Sequence, residues 1–231
     1  MKIAILGNGR TRDLFVPENY DLVIGCNLPP EGVKVDYCVV VDAKAIMLAY
    51  REGAPFYHRL KDFKLVIGPR CAHGIKQCKS KPGGDKTVYQ HLKENDNIFK
   101  EIGLWPDAKD IGQRFFSAGH LAFAYANNEW PQSELHLFGF DSFFTGNQAS
   151  YSDKIRNQDV TQIKRNREKY NRSNPVNTVG EWYGVWERVL TSSRNTATGI
   201  YIHGFEGDDI NDFFKKHLKV IRHDKQVLQE Q

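Results

Sequence analysis

Three short stretches place glycine beside an amide, a hydroxyl or a carboxylate directly after or before an apolar run: Gly7-Asn8-Gly9, Ser117-Ala118-Gly119-His120 and Gly139-Phe140-Asp141. Glycine lets backbone approach a ligand closely, and a helix opening after such a turn aims its first N–H groups at an anion. Two further polar residues end apolar runs, Asn27 after Gly25-Cys26 and Asp42 after Val39-Val40-Val41. An asparagine both donates and accepts, which suits a base or a ribose. Asp42 fits equally well as the N-cap of a following helix. The full G-x-G-x-x-G fingerprint fails because Arg12 stands where its third glycine belongs. No acidic residue ends the second apolar run either, so a bound dinucleotide cofactor is not expected.

A transfer reaction onto a hydroxyl needs a base, and three residues compete for that role. His203 ends the run Ile200-Tyr201-Ile202, and histidine titrates near neutrality. Glu181 precedes an apolar helix, but Thr178-x-x-Glu181 also reads as a capping box. His120 follows the Ser-Ala-Gly turn and is the third candidate.

The elements that must carry these residues are strands alternating with helices. Lys2 to Leu6, Asp21 to Ile24, Tyr37 to Val41, Lys64 to Ile67, Glu134 to Phe138, Gly199 to Ile202 and Lys219 to Ile221 read as strands. Several are continuous β-branched runs, as in strands buried on both faces. Ala43 to Tyr50, Lys86 to Glu94 with Asp85 as N-cap, Gly119 to Asn127, Trp182 to Leu190 and Asp209 to Leu218 read as helices. The expected fold is therefore α/β, a doubly wound, mostly parallel Rossmann-like sheet with helices on both faces. One domain spans residues 1–231. Ala72 to Gly84 reads as a basic surface loop. Residues 152–176 read as an insertion, a mobile basic lid carrying Lys154, Arg156, Lys164, Arg165, Arg167, Lys169 and Arg172; a solvated charged face is the plain alternative.

Of the 231 residues, 40% are hydrophobic, enough for a normal core, and the net charge of +4 is too small to indicate nucleic acid. No apolar run reaches the ~18 residues of a membrane span, and no export signal is recognised. The four cysteines, Cys26, Cys38, Cys71 and Cys78, read as free thiols of a reducing compartment, so a cytoplasmic location is expected. Cys71, His73 and Cys78 match no common zinc spacing, and no metal site is expected.

Taken together, Gly7-Asn8-Gly9, Cys26-Asn27, Ser117-Ala118-Gly119 and the stretch from Gly139 to Tyr151 resemble the bacterial CMP-sialic-acid-type sialyltransferases. They also resemble wider relatives, which include glycosyltransferases and 6-hydroxymethylpterin pyrophosphokinase-like proteins. The resemblance implies that Asn8 and Asn27 contact nucleotide and donor, that Gly119 belongs to a Ser-Gly turn with Ala118 at the serine position and Ser117 one residue early, and that Tyr151 holds the donor phosphate. Phe143 or Phe144 stands where the family has a second tyrosine, and the family's catalytic histidine beyond the lid is missing. The resemblance thus implies an enzyme that takes a nucleotide-sugar donor, binds it through Gly7, Asn8, Gly9, Asn27, Ser117, Ala118, Gly119, Asp141 and Tyr151, and passes the sugar to an unidentified hydroxyl acceptor without a cofactor. Two other readings stay open. A magnesium-dependent pyrophosphokinase of a pterin-like alcohol would hold its metal on Asp42 and Asp141. A non-catalytic nucleotide-binding module would need no base.

Overall fold

A computed structural model of the chain describes residues 1–27, 29, 32–50, 64–80, 83–102, 117–140, 178–204 and 212–222. Asp141, Tyr151 and the expected lid at 152–176 lie outside the described residues. Eight strands form one sheet: β1 (Lys2–Leu6), β2 (Leu22–Cys26), β3 (Tyr37–Val40), β4 (Lys64–Ile67), β5 (Ile98–Glu101), β6 (Glu134–Phe138), β7 (Gly199–His203) and β8 (Lys219–Ile221). Their order is β5-β4-β3-β2-β1-β6-β7-β8, and every pair is parallel. The sheet thus winds outward from β1 in one direction, then restarts at β6 on the other side.

The continuous apolar runs are buried as a two-sided sheet requires. Residues 3–6 of β1 and 65–67 of β4 are inaccessible to solvent. On one face Ile3, Ile5, Ile24, Val39, Leu135 and Ile202 pack against α4 (Ala118–Glu129), α5 (Thr178–Thr191) and α6 (Asp212–His217). The anchor there is Trp186, fully buried with its ring 5.7 Å from Phe123 and 5.8 Å from Phe140. On the other face Ala4, Leu6, Cys38, Leu65 and Phe138 pack against α1 (Ala43–Tyr50), α2 (Pro69–Gln77) and α3 (Val88–Glu94), and against Leu14 of the segment after β1.

The structure corrects three expectations. Residues 72–77 of the expected surface loop belong to α2, which begins at Pro69 in its first turn and buries Cys71, Ala72 and Ile75. The cap of α3 is Thr87 rather than Asp85, in a reciprocal capping box with Gln90. A strand that the sequence pattern does not reveal, β5, closes one edge of the sheet and carries alternating half-buried and exposed residues. Among the described residues no helix is long and apolar enough to cross a membrane.

Candidate functional site at the reversal of strand order

In an open α/β sheet the crevice forms where the strand order reverses, because the loops leaving the two central strands turn to opposite faces. Here that point lies between β1 and β6. The loop after β1 is Gly7-Asn8-Gly9, and the loop after β6 begins Gly139-Phe140. They are joined directly, since Gly7 N–H donates to Phe138 O at 2.7 Å and Gly9 N–H to Gly139 O at 2.9 Å. Gly139 N–H in turn donates to Thr11 Oγ1 at 2.8 Å.

This changes the role of the glycines. A Cβ on Gly7 would stand 2.3 Å from Gly139 O, and Gly139 sits at φ +70° with Gly7 O and Gly9 O each 2.9 Å from its own Cβ position. The glycines let the two loops close on each other, and the N–H groups of Gly7 and Gly9 are spent there rather than on a phosphate. Beyond Gly9 the chain makes a five-residue 3₁₀ turn, Arg10–Leu14, not a long helix aimed at an anion.

The Ser-Ala-Gly turn opens α4 on the opposite face and reaches the same place. Gly119 packs so closely on Phe140 that a Cβ would lie 2.7 Å from its ring. Ser117 Oγ accepts from His120 N–H at 3.4 Å, and Ser117 N–H donates to His120 Nδ1 at 3.0 Å, a capping box closed by histidine. Nδ1 is thereby an acceptor, so the ring proton belongs on Nε2. The His120 ring is fully buried, 4.4 Å from Trp186. It holds the helix start in place, and an acceptor hydroxyl does not reach it.

Both rim asparagines are oriented by internal bonds. Asn8 Oδ1 accepts from Arg12 Nη1 at 3.4 Å, and Asn27 Oδ1 accepts from Val41 N–H at 3.3 Å. Asn27 also adopts φ +56°, the left-handed region that asparagine tolerates best after glycine, and its N–H donates to Val39 O at 2.8 Å. With both carbonyls tied down, each side chain offers its –NH₂ to a ligand. The Asn8 amide beside the Arg12 guanidinium, and the Asn27 amide at the end of the neighbouring strand β2, match ligand atoms rich in acceptors, such as a phosphate, a carboxylate or a pyrimidine carbonyl.

Asp42 stands at the end of β3, where its charge helps to push the Cys71 thiol up to about 12, after the larger effect of burial. Between β3 and β6 lie β2 and β1, so the ends of these two strands are three strand spacings apart, about 14 Å. Of the two carboxylates that would share a magnesium ion, only Asp42 is among the described residues. Helix α2 does not gather zinc ligands: Cys71 is buried and His73, bonded to Gln77, is exposed. Among the described residues no group of three or more His, Cys, Asp or Glu is placed to hold a metal.

His203 does end β7, but its ring turns onto the sheet face that carries Phe138. It stacks on Phe138 at 4.0 Å and hydrogen-bonds His136 at 3.0 Å. At 5% exposure it is closed off from an acceptor. The backbone of Glu181 falls in the first turn of α5, and its side chain lies outside the described residues.

Compared with protein-family models, with curated proteins and with solved structures, the chain matches none. Its site therefore stands on its own geometry. Arg12 and Thr11 are site residues that the sequence pattern does not single out. In the sequence Arg12 marks only the failed third glycine, although a guanidinium four residues after Asn8 is within reach of it.

Proposed function

We propose that the chain is a glycosyltransferase-like enzyme that binds a nucleotide-activated sugar of the CMP type at the β1/β6 reversal and transfers the sugar to a hydroxyl acceptor. The observation that carries this reading is the convergence there of three turns, Gly7-Asn8-Gly9, Ser117-Ala118-Gly119 and Gly139-Phe140, with Asn8 in the first of them and Asn27 at the end of the neighbouring strand β2 fixed as donors. A CMP group offers them a phosphate and the carbonyl of cytosine. Asp141 and Tyr151 belong to the same reading through the resemblance alone. The pyrophosphokinase alternative, which would hold magnesium on Asp42 and Asp141, is separated from this reading by the chelator in the test below. With His120 locked into the cap of α4 and His203 buried on the sheet, the base in this proposal is Glu181.

Equilibrium titration with CMP in the presence of chelator tests the binding half. Asn8→Asp and Asn27→Asp each keep an acceptor for Arg12 or Val41 but replace the outward donor with a carboxylate. Each should weaken CMP at least tenfold, since a hydrogen bond to a charged group contributes about 1.5–3 kcal/mol. Unchanged affinity in both variants would remove the asparagines from the site. For the transfer half, Glu181→Gln should lower the rate by about 10²- to 10⁴-fold at unchanged CMP affinity. A full rate in that variant would return the residue to helix capping.

A further inference from the structure

The segment leaving the β1 loop, residues 10–20, crosses the β6 and β7 strands on the face opposite α4, and beneath it lie two histidines. His136 Nδ1 and His203 Nε2 are 3.0 Å apart, with the residues only 9% and 5% exposed. Aromatic rings enclose them. Tyr201 stacks on His136 at 4.5 Å, Phe138 stacks on His203 at 4.0 Å, and Tyr20 meets His136 edge-on at 5.0 Å. The covering segment is seated on this cluster through Phe15, 5.6 Å from Phe138, and through Thr11 and Leu14, which pack against Gly204.

A bond between two imidazole nitrogens holds one proton, so one ring donates and the other accepts. Glu134 Oε2 lies 3.7 Å from His136 Nε2, too long for a hydrogen bond but close enough to favour a proton on that nitrogen. His136 Nδ1 is then the acceptor and His203 Nε2 the donor. A proton added to His203 Nδ1 leaves this bond intact. A proton on each ring places N–H on both facing nitrogens and breaks it.

We propose that the His136–His203 pair is a pH-sensitive latch that holds residues 10–20 on the β6–β7 face and releases them when both rings are protonated. Among the described residues, titratable and charged groups around the pair include Glu134 on β6, Lys2 on β1, Tyr20 on the covering segment, Tyr201 on β7 and Lys219 on β8, whose ammonium lies over the Tyr201 ring. Tyr20, pushed up to about 12 by burial, stays neutral throughout. Burial is the largest influence on His136 and lowers it below its ordinary value; Lys2 adds to this and Glu134 opposes it. The latch therefore stays closed at neutral pH and opens in acid. Because Gly139 N–H is bonded to Thr11 of this segment, opening also loosens the loop after β6.

Hydrogen exchange of peptides spanning residues 10–20, at about pH 7.5 and about pH 5 and corrected for intrinsic rates, tests the latch. Protection of the segment should fall on the order of tenfold in acid while α4 keeps its own. In the double variant His136→Phe/His203→Phe, which keeps ring packing but does not titrate, the acid effect should vanish. An equal loss in that variant would overturn the proposal. Imidazole NMR titration of the unaltered protein decides the matter if the variant does not fold. The two rings should titrate as a coupled pair, the second proton arriving together with the loss of protection. Two independent titrations at ordinary histidine values, with the segment unchanged, would contradict it.

Discussion

Asn27 shows how one residue serves structure and site together. Its carbonyl holds the Val41 N–H, its backbone sits in the left-handed region, and only its –NH₂ remains for a ligand. An alanine there loses all three features, so lost ligand binding in Asn27→Ala would not separate them. Asn27→Ala should cost about 2–3 kcal/mol in a urea melt, from the stranded N–H and the strained φ, whereas Asn27→Asp should stay within about 1 kcal/mol of the native chain. Gly7 is less forgiving. Gly7→Ala puts a methyl 2.3 Å from Gly139 O, a backbone atom that cannot swing away, and a loss of about 3 kcal/mol or more is expected. Equal melts for Gly7→Ala and the native chain would mean that the two loops are not joined as described. The positions of these residues at strand ends were legible in the sequence. Their partners were not, because a bond such as Gly9 to Gly139 links residues far apart in the chain, and only the strand order makes them neighbours.

Among the elements, the long apolar runs declared themselves, and the weakly marked ones did not. Strand β5, Ile-Phe-Lys-Glu, has only two apolar residues and sits at an edge where one face is wet, so its composition resembles a loop. Helix α2 was hidden by Gly74 in its middle; the glycine is there because a Cβ would come within 2.5 Å of the Ala43 Cβ on α1. Helix α4 was readable as small and apolar, but its cap was not. A histidine at the third position of a capping box is an unusual partner for serine, so His120 passed for a base. The fully buried core positions of α5, Val185, Trp186 and Val189, follow the helical spacing that the sequence displays. Trp186→Ala should cost about 3–5 kcal/mol of stability by chemical denaturation, since it empties the space between α4, α5 and the Phe140 loop. The same variant should weaken ligand binding, because Phe140 and the Ser117 turn both lean on that indole. A loss under about 1 kcal/mol would mean the indole is not the anchor of this face.

For the whole molecule, the winding of the sheet decides where chemistry can happen. Parallel strands send every β-to-α loop to one rim, and the restart at β6 opens that rim beside β1. Stability should follow pH through the buried histidines. The folded value of His136 is lowered, so its contribution is fully present above the ordinary value of 6.5 and is lost as pH falls below it towards the folded value. Melting temperature should therefore decline below about pH 6.5 in the native chain and less steeply in His136→Phe; parallel declines would place the acid sensitivity elsewhere. The central claim, a nucleotide-sugar site at the β1/β6 reversal, is tested most directly by thermal melts with CMP, UDP, GDP and ATP, each with magnesium and with chelator. A nucleotide at about 100 times its dissociation constant adds about 2.7 kcal/mol, a rise of about 5–10 °C for a chain of this size. CMP should give that rise in chelator, and the rise should disappear in Asn8→Asp and Asn27→Asp. Stabilisation by ATP alone and only with magnesium, or by none of the four nucleotides, would contradict it.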